Sequence, residues 1–210
     1  MLNSFLTNPI SAIVFIILLL ITIAVHEFSH AKMADYLGDP TARLAGRLTL
    51  NPLAHIDLVG LLFLFFFGFG WGKPVPFDPF NLKNPRRDAA LISLAGPLSN
   101  LIMAILGSIL LKLFILFKLS FLIIIGNIFI PVFIFLNILL GIFNLLPIAP
   151  LDGFKIVGGM LSQKQAEEWL QLERYGMIFL LLFIFPLGQK SMLQIFLSPV
   201  INFFYNLLAF

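Results

Sequence analysis

Apolar and polar positions fall in blocks along this chain. Asn8-Pro9 precedes a run from Ile10 to Val25 that is almost wholly apolar. Asn8 suits a helix N-cap and Pro9 the first helical position. The helix is expected to continue through polar residues to about Tyr36, where Gly38 and Pro40 stop it. Leu58 to Gly70 is just as apolar but only thirteen residues long, too short for a helix across a core of about 30 Å. Residues 71–88 hold four prolines, which predicts an extended surface loop with Trp71 as an interfacial anchor. Long apolar helices are predicted from about Ala89 to Phe117 and from about Ser120 to Leu146. A polar, helix-compatible stretch, Ser162 to Arg174, follows. Two more apolar segments run from about Tyr175 to Leu187 and from about Met192 to the end, with Gly188-Gln189-Lys190 as the turn between them.

These runs are too long for barrel strands and lack their alternation. The expected fold is therefore an all-α polytopic membrane protein. Three core helices are joined by about two further spans, with a short re-entrant or β-like segment after the first helix. One membrane domain is expected over residues 1–210. Its core covers 10–157, and 158–210 hold the amphipathic stretch and the last two spans.

Composition sharpens this reading. Hydrophobic residues make up 60% of the chain and charged residues 11%, with mean hydropathy +1.04; soluble domains are nearer half and a quarter. A net charge of +3 is no nucleic-acid signature, so lipid is the expected surroundings. There is no cysteine, which excludes disulfides, thiolate ligands and cysteine nucleophiles. No basic stretch precedes the first apolar run, unlike a cleaved signal peptide. With the N-terminus outside and five spans, ten of the thirteen Lys and Arg fall on the cytoplasmic side. Lys112, Lys118 and Lys190 fall outside. That bias follows the positive-inside rule and puts the C-terminus in the cytoplasm.

Against this background His26-Glu27-Phe28-Ser29-His30 stands out. Two of the three histidines lie in it, near the end of the first span. Ionisable groups within a membrane are costly and point to function. On a helix His26 and His30 share a face, so both imidazoles reach one metal ion, with Glu27 beside them to hold a proton. At 1.5 Å per residue His26 sits roughly 24 Å along its helix, in the cytoplasmic part of the membrane. Asp152 follows the third long helix at similar depth, which makes it the best-placed third ligand for a catalytic zinc site. Its rival role is a turn, since Asp-Gly is a common turn pair.

Taken together, these segments resemble the site-2 protease family of intramembrane zinc metalloproteases. The His26–His30 motif, the stretch Asn144-Leu145-Leu146-Pro147-Ile148-Ala149-Pro150-Leu151-Asp152-Gly153, and Ala95-Gly96-Pro97 with Asn100 carry the resemblance. It covers about residues 10–157. Leu48–Asp57 and Trp71–Arg87 resemble a small prokaryotic group whose metal helix lies near the N-terminus, and neither a PDZ nor a CBS domain fits in the chain. The resemblance implies one catalytic Zn2+ held by His26, His30 and Asp152, and Glu27 as general base. It implies a transmembrane protein substrate cut in or near its membrane segment. The expected place is a prokaryotic cell membrane, with the active site toward the cytoplasm. Asn144 is a candidate for the substrate carbonyl or oxyanion, its rival role being contact between helices. His55 is open between reaching the site, either from behind its first layer of groups or in contact with substrate, and lying solvated at the interface, with Asp57 capping the next segment. The Phe-rich segment is open between membrane packing and a strand edge for substrate. Gly68, Gly70 and Gly72 are candidate gating points. The competing function is a metal-binding membrane protein without hydrolysis, a divalent-cation transporter or a scaffold.

Overall fold

The structure, a computed structural model, describes residues 7–67, 70–185 and 191–209. The helices are α1 (Pro9–Tyr36), α2 (Thr41–Leu44), α3 (Leu58–Phe67), α4 (Pro85–Leu116), α5 (Ser120–Asn144), α6 (Asp152–Met160), α7 (Gln163–Leu170), α8 (Glu173–Ile184) and α9 (Met192–Ala209). There is no strand among the described residues. Four helices, α1, α4, α5 and α9, are long and apolar enough to cross a membrane. Ile13, Ile17 and Ile21 are exposed along one face of α1, while Ala24, His26, His30 and Ala34 are buried on the other. A soluble helix buries its apolar face; here the apolar face looks outward, as a lipid-facing span does.

Local chemistry sets the ends of α1. The Asn8 side chain accepts from Ser11 N at 3.2 Å and Pro9 occupies the first turn. At the other end Gly38 takes φ +106°, a left-handed conformation that ends the helix. The α4 helix is central and packs on α1, α5 and α6. His30 meets Ile92 and Thr22 meets Asn100, so α1 and α4 are antiparallel. Ala104, Leu111, Ile130, Ile134, Ile138, Leu197 and Ile201 form the core between α4, α5 and α9.

In the segment after α1, the described residues on either side of 68–69 lie against each other. The chain leaves at Ile56, runs through the ten-residue α3, and returns to pair with Ile56 at Gly72 in an isolated antiparallel bridge. Lys73 N donates to His55 O at 2.8 Å. A Cβ on Gly60 would lie 3.0 Å from Trp71 N, so the two limbs touch. Gly68 lies outside the described residues.

Both apolar segments expected after residue 174 are helical, but they differ. Twelve-residue α8 starts beside Ala149, where Gly176 packs, and runs past a cavity lined by His26, His30 and Asp152 to Ile184. The α9 helix begins next to Leu139, Leu140 and Phe143 and runs antiparallel to α5 until Leu208 O accepts from Ser108 Oγ. The described end of α9 thus lies at the end of the bundle where α1 begins. This corrects the expectation that the C-terminus sits on the opposite side after five crossings: α8 is too short to supply a full one. The expected turn at Gly188-Gln189-Lys190 lies outside the described residues.

Candidate metal centre

His26 and His30 lie one turn apart on α1, and α6 begins with Asp152. After α5 the chain doubles back tightly. Gly153 packs against the Leu145 and Leu146 carbonyls, and a Cβ there would lie 2.5 Å from Leu145 C. Only glycine lets Asp152 reach the histidines by so short a return. His26 Nε2 lies 3.1 Å and His30 Nε2 3.3 Å from Asp152 Oδ2, and the two Nε2 atoms are 3.0 Å apart. Gly96 of α4 faces both rings. A Cβ there would come within 2.5 Å of His30 Cε1 and 2.7 Å of His26 Cε1.

The hydrogen bonds fix the ring tautomers. Ile92 O only accepts, so His30 Nδ1, 2.7 Å away, carries its proton. Asn137 Nδ2 donates to Phe133 O at 2.9 Å and to Thr22 Oγ1 at 3.1 Å. Asn137 Oδ1 therefore accepts from Asn100 Nδ2 at 3.1 Å, which also faces Thr22 O at 3.3 Å. Asn100 Oδ1 is left facing His26 Nδ1 at 2.6 Å, and that nitrogen must donate. With both Nδ1 atoms protonated, the neutral form of each ring leaves its Nε2 a bare acceptor. They converge on Asp152 Oδ2, which is buried without a hydrogen-bond partner.

Three acceptors packed together repel unless a cation lies among them. Ligands bound tetrahedrally at about 2.0–2.2 Å are spaced by about 3.4 Å, close to the separations here. Imidazoles that donate their other N–H to an oxygen are the usual orientation for metal ligation. The residues fit a metal, and this is the one such group among the described residues.

The three groups line a cavity of about 300 Å³ together with Glu27, Asn144, Lys155 and the returning limb Gly70–Val75. Glu27 Oε2 accepts from Val75 N at 3.2 Å. Asn144 donates back to Leu140 O at 3.0 Å, and its side chain borders the cavity.

His55 does not join them. It is buried, so the solvated interfacial position does not hold. Its Nε2 donates to Thr49 O at 2.8 Å and its Nδ1 accepts from Arg47 Nη2 at 3.3 Å. It lines a neighbouring apolar cavity bordered by Phe15, Leu19 and Leu64. The expectation that His55 contacts substrate or oxyanion is therefore corrected: both ring nitrogens are already committed to its own loop. Asp57 caps α3, accepting from Gly60 N at 2.7 Å.

Sequence reasoning passed over Thr22, Asn137 and Arg47. Polarity alone did not single out Asn137, because the same apolar run of α5 also holds Asn127, which is exposed.

The sequence pattern of Peptidase family M50 matches residues 122–185, which include Asp152. The chain is 39% identical over 191 residues to "Putative zinc metalloprotease YwhC" of Bacillus subtilis (strain 168), covering 89% of this chain and 87% of that protein. It is 31% identical over 189 residues to "Putative zinc metalloprotease Rip2" of Mycobacterium tuberculosis (strain ATCC 25618 / H37Rv), covering 87% of this chain and 66% of that protein. No solved structure matches. With nearly full-length similarity to the first of these relatives, the chain belongs to peptidase family M50, the site-2 protease family.

Proposed function

We propose that this protein is an intramembrane zinc endopeptidase that hydrolyses peptide bonds in or near the transmembrane segments of membrane proteins. His26, His30 and Asp152 hold one zinc ion, and Glu27 is the general base. The observation that carries this reading is the meeting of three bare acceptor atoms beside a carboxylate in one cavity, inside a bundle of membrane-length helices.

A bound zinc ion supplies Lewis acidity to the scissile carbonyl and makes water more acidic. The protein residues do the rest. Glu27 Oε2 is held by the Val75 N–H, which leaves the other carboxylate oxygen to take the proton of the attacking water and pass it to the leaving amine. Asn144, at the cavity wall, orients the substrate carbonyl through its side-chain amide. The charge bias of the loops supports an N-terminus outside and a site toward the cytoplasm, and the likeness of Leu48–Asp57 and Trp71–Arg87 to a small prokaryotic group supports a prokaryotic cell membrane.

The experiment is a comparison of purified wild type with Glu27→Gln for bound zinc and for cleavage of a panel of single-span proteins. The variant is expected to keep zinc and lose cleavage by about a hundredfold or more. Equal cleavage by both proteins would overturn the mechanism. Zinc binding without cleavage by wild type would favour a non-hydrolytic metal-binding protein.

A further inference from the structure

Arg47 is an unusual group outside the metal cavity. Its side chain is buried, Nε has no partner, and no carboxylate pairs with it among the described residues. Buried cations are normally paired. Here Nη2 donates to the Lys73 carbonyl and to His55 Nδ1. His55 is in turn set by Thr49, through Nε2. The His55 carbonyl accepts from Lys73 N at 2.8 Å, so the backbone of Lys73 is gripped at both its N–H and its C=O.

Two residues further on, Val75 N donates to Glu27 Oε2 at 3.2 Å. Pro74 and Pro76 flank Val75. Pro74 has a locked φ, and Pro76 holds Val75 in an extended conformation. The link from Lys73 to Val75 is therefore stiff, and a shift of the Lys73 carbonyl moves the Val75 N–H.

We propose that Arg47, with His55, is a positioning residue for Glu27: it seats Lys73 so that the Val75 N–H fixes the carboxylate facing the metal cavity. The kinetic consequence rests on the general-base role given to Glu27 above; the seating itself does not.

The chain has no cysteine, so Val75→Cys supplies a single thiol and keeps the backbone N–H. In full-length, metal-loaded protein, alkylation by a water-soluble maleimide is expected to be severalfold faster when Arg47→Gln is added. Added Arg47→Lys should restore the slow rate, since one ammonium can donate to both acceptors of Nη2. Equal rates in all three proteins would overturn the proposal, whether or not the protein cleaves peptides.

In cleavage assays Arg47→Gln and Val75→Pro should each lower kcat about tenfold, the scale of one lost hydrogen bond to a charged group. KM should hold within about twofold and zinc content should be unchanged, because the metal ligands are not touched. The double variant should be no slower than the slower single one. Multiplicative losses, or full kcat in Val75→Pro, would overturn the proposal. Should Arg47→Gln fail to fold, His55→Asn carries the same arms with the same expected directions.

Discussion

All three histidines are buried, yet the two at the metal cavity and the one in the Arg47 loop are opposites. His26 and His30 each donate one ring N–H to an oxygen and aim a bare nitrogen at another acceptor. His55 donates through one nitrogen and accepts through the other, so its ring is complete. Burial does not separate a candidate ligand from a structural histidine. The unsatisfied lone pair does.

Asp152→Ala breaks the comparison hardest. It removes the acceptor on which both Nε2 atoms converge, and bound zinc should fall from about one per chain to near none, with metal affinity down at least about a hundredfold. Elemental analysis after dialysis reads this directly; unchanged stoichiometry would take Asp152 out of the ligand set. Asn100→Ala leaves all three ligands but frees the His26 ring, so affinity should fall about ten- to hundredfold, measured by competition with a chelator. Substituting His55 gives the contrasting outcome. His55→Asn should leave zinc affinity unchanged while lowering stability by about 1–3 kcal/mol, the cost of disturbed buried hydrogen bonds, read by thermal unfolding in detergent.

The smallest effect tests the loop that abuts these regions. Buried Asp39 accepts from the Thr41 hydroxyl at 2.5 Å, Asn81 Nδ2 at 2.8 Å, Asp78 N at 2.7 Å and Thr41 N at 3.1 Å. Burial disfavours its charged form, but these donors outweigh burial and hold the carboxyl below its usual 3.8. A depressed value means that the unfolded chain binds the proton first. The stabilisation is thus complete above about pH 4 and disappears as the pH falls through the folded value. Thermal unfolding between pH 6 and 3 should fall less steeply for Asp39→Asn than for wild type.

The spans and the His26–Asp152 pairing were legible because each depends on local pattern: long apolar runs, an i, i+4 spacing, and a turn at a matching depth. The fate of Tyr175–Leu187 was not. An apolar run reports burial in lipid or protein but not whether its helix crosses the bilayer, and α8 stops at Ile184. His55 was undecidable for a different reason. Whether a ring is complete depends on Arg47 and on the Thr49 carbonyl, and local spacing does not report which partners a ring finds. Thr22 and Asn137 were silent as long-range partners for the same cause: exposed Asn127 and buried Asn137 are amides of one apolar run.

The distribution of the centre over the helices has a consequence for biogenesis. Both imidazoles arrive with α1, the groups that orient them arrive with α4, and Asp152, the third candidate ligand, stands at the start of α6, 122 residues after His30. A chain emerging from the ribosome therefore inserts its first helices with the metal site incomplete. The three groups are together once α6 follows α5 into place, before α8 and α9 are added, so chains inserted only as far as α1 and α4 hold two of the three.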